Sequence, residues 1–170
     1  TVGGAGCVRV MSVHRSKGLE FPVVFLCCAN RQYNAAESKK SVLWSARGGL
    51  CMRAYHPGER AVYETLYHRA AVREQEDALR EEELRVLYVA LTRAREELTV
   101  VGTTKDLQKD AQNWADPDAG PPKSHLGVIM RAAAEFPEAG GIFEKAGVFV
   151  SRPGFPHEGA WAFHLHEAGT

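Results

Sequence analysis

Val23-Val24-Phe25-Leu26-Cys27 is an almost unbroken apolar run, and it follows a shorter alternating stretch, Val8-Arg9-Val10-Met11-Ser12-Val13. Alternation suits a strand with one covered face, whereas a continuous apolar run suits a parallel-sheet strand covered by helices on both faces. Both segments are expected as strands, joined by a polar loop. Farther along, Val42-Leu43-Trp44 and Leu50-Cys51-Met52 flank Ser45-Ala46-Arg47-Gly48-Gly49, where paired glycines permit the tight turn of a hairpin. From about Glu59 to Ala94 the pattern predicts one or two helices, with His56-Pro57-Gly58 just ahead. Leu84, Leu87, Tyr88 and Leu91 form an apolar stripe at helical spacing, and Glu81, Glu82 and Glu83 place negative charge at the front of the second segment. Leu98-Thr99-Val100-Val101 predicts a closing strand that Gly102 ends. Strand, loop, strand, helix, strand is the grammar of an α/β layered domain, with a mostly parallel sheet flanked by helices. Beyond Thr103 two shorter helices are expected, Lys105 to Trp114 and Leu126 to Phe136, separated by Asp116-Pro117-Asp118-Ala119-Gly120-Pro121-Pro122. The tail from Gly154 reads as a loose end, and its His157, His164 and His166 form neither a tag nor a metal site.

Composition narrows this picture only slightly. A chain of 170 residues suffices for one ordinary domain with a real core and hardly for two. With 45% apolar and 25% charged residues it is globular in character. Lys plus Arg and Asp plus Glu are 21 each, so net charge favours no nucleic-acid, membrane or acidic partner and leaves only local basic surfaces to consider. Cys7, Cys27, Cys28 and Cys51 have neither zinc-site nor disulfide-framework spacing, which predicts free, mostly buried thiols suited to a reducing cytoplasm. No apolar run reaches the ~18 residues of a membrane span. The chain opens without Met, at Thr1-Val2-Gly3-Gly4-Ala5-Gly6, a loop-like approach that reads as a piece cut from something larger.

Two polar clusters carry candidate chemistry. After the first predicted strand, Ser12, His14, Arg15, Ser16 and Lys17 offer hydroxyls, an imidazole and cations where open α/β sheets place ligands. These groups suit phosphate oxygens or a nucleic-acid backbone. Gly18 would let the chain turn closely, and Glu20 can accept hydrogen bonds from a sugar hydroxyl. By chemistry alone, the same loop is equally readable as a solvated strand-to-strand connection. In the second cluster, Tyr88-Val89-Ala90-Leu91-Thr92-Arg93, Arg93 falls two residues beyond the stripe at the end of a helix. Its guanidinium presents the fixed fork of donors that a phosphoryl group needs, although an arginine there also serves simply to offset the helix dipole.

Taken together, the segments are far more specific. VMSVHRSKGLEFPVVFL, residues 10–26, resembles motif V of the superfamily 1 helicases of the UvrD, PcrA, Rep and RecB type, and ELRVLYVALTRAREE, residues 83–97, resembles their motif VI. The wording LYVALTRA and the later segment Ser124-His125-Leu126-Gly127-Val128-Ile129 look most like the AddA component of the bacterial AddAB helicase-nuclease.

The resemblance implies a partial RecA-like, P-loop NTPase-type domain. On it, residues 1–102 are the C-terminal part of the second motor domain, 2A, residues 103–153 a helical extension, and residues 154–170 a flexible tail. It further implies an ATP-dependent DNA helicase, bacterial and cytoplasmic, that translocates on single-stranded DNA and unwinds duplex DNA in recombinational repair. ATP and Mg2+ would serve the complete protein, with the metal held mainly by the first motor domain. No G-x-x-x-x-G-K-[ST] element occurs in the chain, so the fragment alone is expected to be inactive and to require no cofactor. Carried over by position, Arg93 resembles the catalytic arginine that reaches the γ-phosphate, and Glu20 the glutamate that contacts the nucleotide sugar, with Gly18 beside it. Ser12 stands where the family often has Thr, His14 matches the histidine that contacts DNA, and Arg15 and Lys17 become candidates for the DNA backbone. Tyr88 is similar to the motif VI tyrosine and is expected to pack beside the cleft. The implied partners are DNA, the N-terminal motor domain and an AddB-like protein, and an exposed sheet edge allows self-association. Two alternatives stand beside this reading: a degenerate UvrD C-terminal-like module that only binds DNA or protein, and an unrelated phosphate-binding α/β enzyme.

Overall fold

The structure, a computed structural model, describes residues 7–148 together with His164 and His166. The expected tail otherwise lies outside the described residues. The chain divides into two compact units, one from Thr1–Val24 and Tyr33–Thr99, the other from Phe25–Gln32 and Val100–Thr170.

In the first unit, the segment expected as the opening strand forms none. Val8 and Val10 are almost fully exposed, and the chain instead winds into a 3-10 turn at Val13–Ser16. Alternation makes a strand only where a neighbouring strand satisfies its amides, and no strand pairs with Val8–Ser12. The first strand, β1, is Phe21–Leu26. It is only partly covered, with Val23 and Phe25 exposed, rather than buried on both faces. The predicted hairpin is present as β2 (Val42–Ser45) and β3 (Gly49–Met52), in the register Val42 to Met52, Leu43 to Cys51, Trp44 to Leu50 and Ser45 to Gly49. Its inward positions, Leu43 and Cys51, are buried against Ala71 and Val72.

A second hairpin replaces the expected start of the helix. β4 (Ala54–His56) pairs antiparallel with β5 (Ala61–Tyr63), so His56-Pro57-Gly58 lies in its turn region. Arg60, with φ 49°, occupies the left-handed region there. The helix α1 begins later and runs unbroken over Leu66–Leu91, 26 residues. Its cap is Thr65, whose hydroxyl accepts from His68 N–H at 3.1 Å and donates to Met52 O at 2.8 Å, tying the helix start to the end of β3. Of the apolar stripe, Leu87 is buried at 4% exposure, while Leu84, Tyr88 and Leu91 are exposed.

β6 spans Ala94–Val100, four residues longer at its start than predicted, and pairs with β1. The pair is parallel, since Phe21 N–H donates to Arg93 O at one end and Val101 N–H to Leu26 O at the other. The α/β class therefore holds, with this parallel pair and two antiparallel hairpins among the described residues.

In the second unit, α2 (Leu107–Ala115), α3 (His125–Ala133) and α4 (Gly140–Lys145) gather a core of Ala111, Met130, Ala133, Ala134 and Phe143. Asp106 and Ser124 cap α2 and α3 by accepting amides from Lys109 and Gly127. Arg131 pins the connection between those helices, donating to Gly120 O and Asn113 O. Gly102 is needed where it stands, because a Cβ there would meet Leu126 Cδ2 at 2.7 Å. All four cysteines are free, but only Cys51 is buried. Cys27 and Cys28 lie just past β1 rather than within it, and Cys28 takes a left-handed φ of 59°. Among the described residues, no helix is long and apolar enough to cross a membrane.

Candidate functional site

Ser12, His14, Arg15, Lys17, Gly18 and Glu20 are all exposed, and the loop that carries them is closely wound. Ser12 O accepts the amides of Arg15 and Ser16, Lys17 N–H reaches His14 O, and Leu19 N–H reaches Ser16 O. Ser16, missed as a structural residue by sequence reasoning, is buried and donates its hydroxyl to Val13 O at 2.7 Å. Gly18 has φ 82°, the left-handed conformation in which any side chain would be strained, so its expected role in the turn is met. The winding leaves the cations on the outside of the loop.

The end of α1 meets this loop through Arg93, and the guanidinium is held on three sides. Nε donates to Val89 O at 2.9 Å, Nη1 to Leu19 O at 2.9 Å, and Nη2 to Thr92 Oγ1 at 3.0 Å. Meanwhile Arg93 O accepts Phe21 N–H at 2.9 Å. Residues 19 and 21 are thus both bonded to Arg93, and Glu20 is the residue between them. A guanidinium carries five N–H donors. With three engaged, one remains on each terminal nitrogen, a pair spaced for two oxygens of a phosphoryl or carboxylate group. Arg93 is thereby preorganised by its own helix end and by the loop.

His14 and Lys17 lie elsewhere on the same unit. With Val13 they line one side of an open groove of about 580 Å³, whose other side is Glu82, Arg85, Val86, Tyr88 and Val89 of α1. Ser12 and Arg15 are not among its lining. Tyr88, expected to pack, is 69% exposed here, because the side of α1 it occupies faces this groove instead of a covering element. Arg85 is paired with Glu81 and Glu82. Thr92 and the Leu19 carbonyl were missed as site groups. The only sequence signal for Thr92 was its place directly after an apolar helical stripe, where helix ends need capping.

A family model for the UvrD-like helicase C-terminal domain matches residues 3–105. The chain belongs to that family. The UvrD-like C-terminal domain is a RecA-like fold, in keeping with the mixed helices, strands and parallel pair described above. Relatives point the same way, and those of two bacteria are each named as the first, or A, component of an ATP-dependent helicase/nuclease. The one from Lysinibacillus sphaericus (strain C3-41) is 39% identical over 127 residues, covering 75% of this chain and 10% of the relative. The one from Bacillus mycoides (strain KBAB4) is 44% identical over 109 residues, covering 64% of this chain and 9% of the relative. The UvrD-like segment therefore spans about a tenth of the length of the curated relatives it matches.

Proposed function

We propose that this chain is the C-terminal part of the second motor domain of an ATP-dependent DNA helicase, of the AddA helicase-nuclease type. It would couple ATP hydrolysis to movement on single-stranded DNA and to duplex unwinding in recombinational repair, in a bacterial cytoplasm. Residues 1–102 belong to domain 2A and residues 103–153 to a helical extension. The observation that carries this reading is the double bond between Arg93 and the residues flanking Glu20, which joins the two sequence segments the family resemblance rests on.

In this reading Arg93 is the catalytic residue, directing its remaining N–H pair at the phosphoryl group. ATP, with Mg2+ held mainly by the first motor domain, supplies the phosphoryl chemistry. A fixed arginine stabilises the charge on equatorial phosphoryl oxygens without having to reorganise when that charge develops. Glu20, presented beside it, accepts from the sugar hydroxyls, and Gly18 lets the loop turn toward the nucleotide. Ser12, His14, Arg15 and Lys17 face the DNA strand, their cations countering its phosphates. Because one short loop bears both sets of groups, a change of cleft geometry at Glu20 is carried within a few residues to the DNA contacts. Partners are the N-terminal motor domain, DNA and an AddB-like protein.

The test is Arg93→Ala in the complete polypeptide. Single-stranded-DNA-stimulated ATP turnover is expected to fall by at least about 100-fold, at the lower edge of what such arginines contribute. Near-normal turnover would remove the finger role and leave a module that only binds.

A further inference from the structure

We propose that Thr92 is a positioning residue for Arg93, setting the direction of the guanidinium through its hydroxyl. The inference rests on the reading of Arg93 given above and extends it to a side chain that has no contact of its own with the reacting groups.

The case is built from a single oxygen. Thr92 Oγ1 lies 2.9 Å from Tyr88 O and 3.2 Å from Val89 O, and it receives Arg93 Nη2 at 3.0 Å. A hydroxyl has one proton and two lone pairs. The proton goes to the nearer carbonyl, Tyr88 O, since Val89 O already accepts Arg93 Nε. This fixes the lone pair that faces Arg93. Nε and Nη2 are then both held by the end of α1, one by a backbone carbonyl and the other by a hydroxyl that the helix end itself orients. Two bonds to the rigid helix determine the plane of the guanidinium, while the third, from Nη1 to Leu19 O, ties that plane to the loop bearing Glu20.

The residue type fits the task. Thr92 sits just past α1, where the last carbonyls lack amide partners, and its backbone N–H also returns to Tyr88 O at 3.0 Å. A β-branched side chain restricts χ1, so its hydroxyl is held toward the helix rather than sampling solvent. Serine would keep the oxygen with looser aim, and valine would keep the shape without it. Without the hydroxyl, Nη2 loses its anchor, and the guanidinium can swing about Nε–Cζ away from the plane that leaves one donor on each terminal nitrogen pointing outward.

Steady-state ATP hydrolysis by the complete polypeptide, with saturating single-stranded DNA, separates the outcomes. Thr92→Val is expected to lower kcat about tenfold, the scale of one hydrogen bond to a charged group, with KM for ATP changed less than about twofold. Thr92→Ser is expected to remain within about threefold of the parent, because the oxygen is retained. Placed on Arg93→Ala, Thr92→Val is expected to cost nothing more, since the group it positions is gone. Three results would overturn the proposal: normal turnover in Thr92→Val, a serine variant as slow as the valine one, or an equal further loss on the Arg93→Ala background, which would reveal a merely structural role. Normal turnover in Arg93→Ala itself would sink both the finger and its positioning residue. Severe loss in Arg93→Ala beside normal turnover in Thr92→Val would sink the positioning role alone.

Discussion

Tyr33 shows how strongly a single residue can be conditioned by its setting. Its phenol is pushed up to about 12, first by burial and second by the negative charge of Glu83. The protonated phenol is therefore favoured by the folded chain. In the window from its ordinary value near 10 up to about 12, the unfolded chain has lost this proton and the folded chain keeps it, so stability falls as pH rises through that window. Chemical unfolding of the isolated chain at pH 9 to 12 should show this decline, and Tyr33→Phe should flatten it; an unchanged slope in the variant would assign the decline to other groups. Nothing in the sequence near Tyr33 indicates this, because Glu83 is 50 residues away. Arg93 and Glu20 are legible for the opposite reason: their neighbours in sequence carry the family pattern. Thr92 is not, since the worth of its hydroxyl depends on where α1 stops.

At the scale of elements, local turn chemistry is readable and partnership is not. Gly48-Gly49 announces the β2–β3 hairpin. There Ser45 completes the turn, donating to Glu74 at 2.6 Å while accepting the amides of Arg47 and Gly48. That bond is the main cause holding the Glu74 carboxyl below its usual range, with the Ala46 amide second. His56-Pro57-Gly58 serves a hairpin rather than the expected helix approach because proline and glycine suit both equally well. The expected strand at Val8–Val13 does not form because alternation alone does not supply a neighbour. α1 invites a direct test of continuity. Ala78 is exposed at mid-helix, so Ala78→Pro removes no packing but one amide donor, and it clashes with the preceding turn. Thermal unfolding should report a loss of about 3 kcal/mol or more, with reduced helical circular dichroism. A loss no larger than that of Ala78→Gly would show that the helix is already interrupted there.

The whole molecule consists of two units with separate cores, a small one under the β2–β3 hairpin and a larger alanine-rich one among α2, α3 and α4. Sequence patterning predicts only two short helices of the second core; Ile142 and Phe143 of α4 lie in a segment too short to show periodicity. The hairpin's outward positions, Val42, Trp44, Leu50 and Met52, are all exposed and all apolar, a pattern that the sequence conceals because both faces of the hairpin are hydrophobic. Since the chain contains no G-x-x-x-x-G-K-[ST] element, Arg93 can complete a phosphate site but not make one. The isolated 170-residue chain is accordingly expected to release no phosphate from ATP above background, with or without single-stranded DNA; turnover abolished by Arg93→Ala in that short chain would contradict the assignment of hydrolysis to a larger assembly. The unbroken α1 has a mechanical consequence. At 1.5 Å per residue its 26 residues make a rod about 39 Å long, with the hairpin tethered at Thr65 and the Thr92–Arg93 turn at the far end. A rod of fixed length acts as a lever. Load applied to the hairpin end can roll or tilt the arginine but cannot draw it closer, so any signal along this helix must be read as an angle and not as a distance.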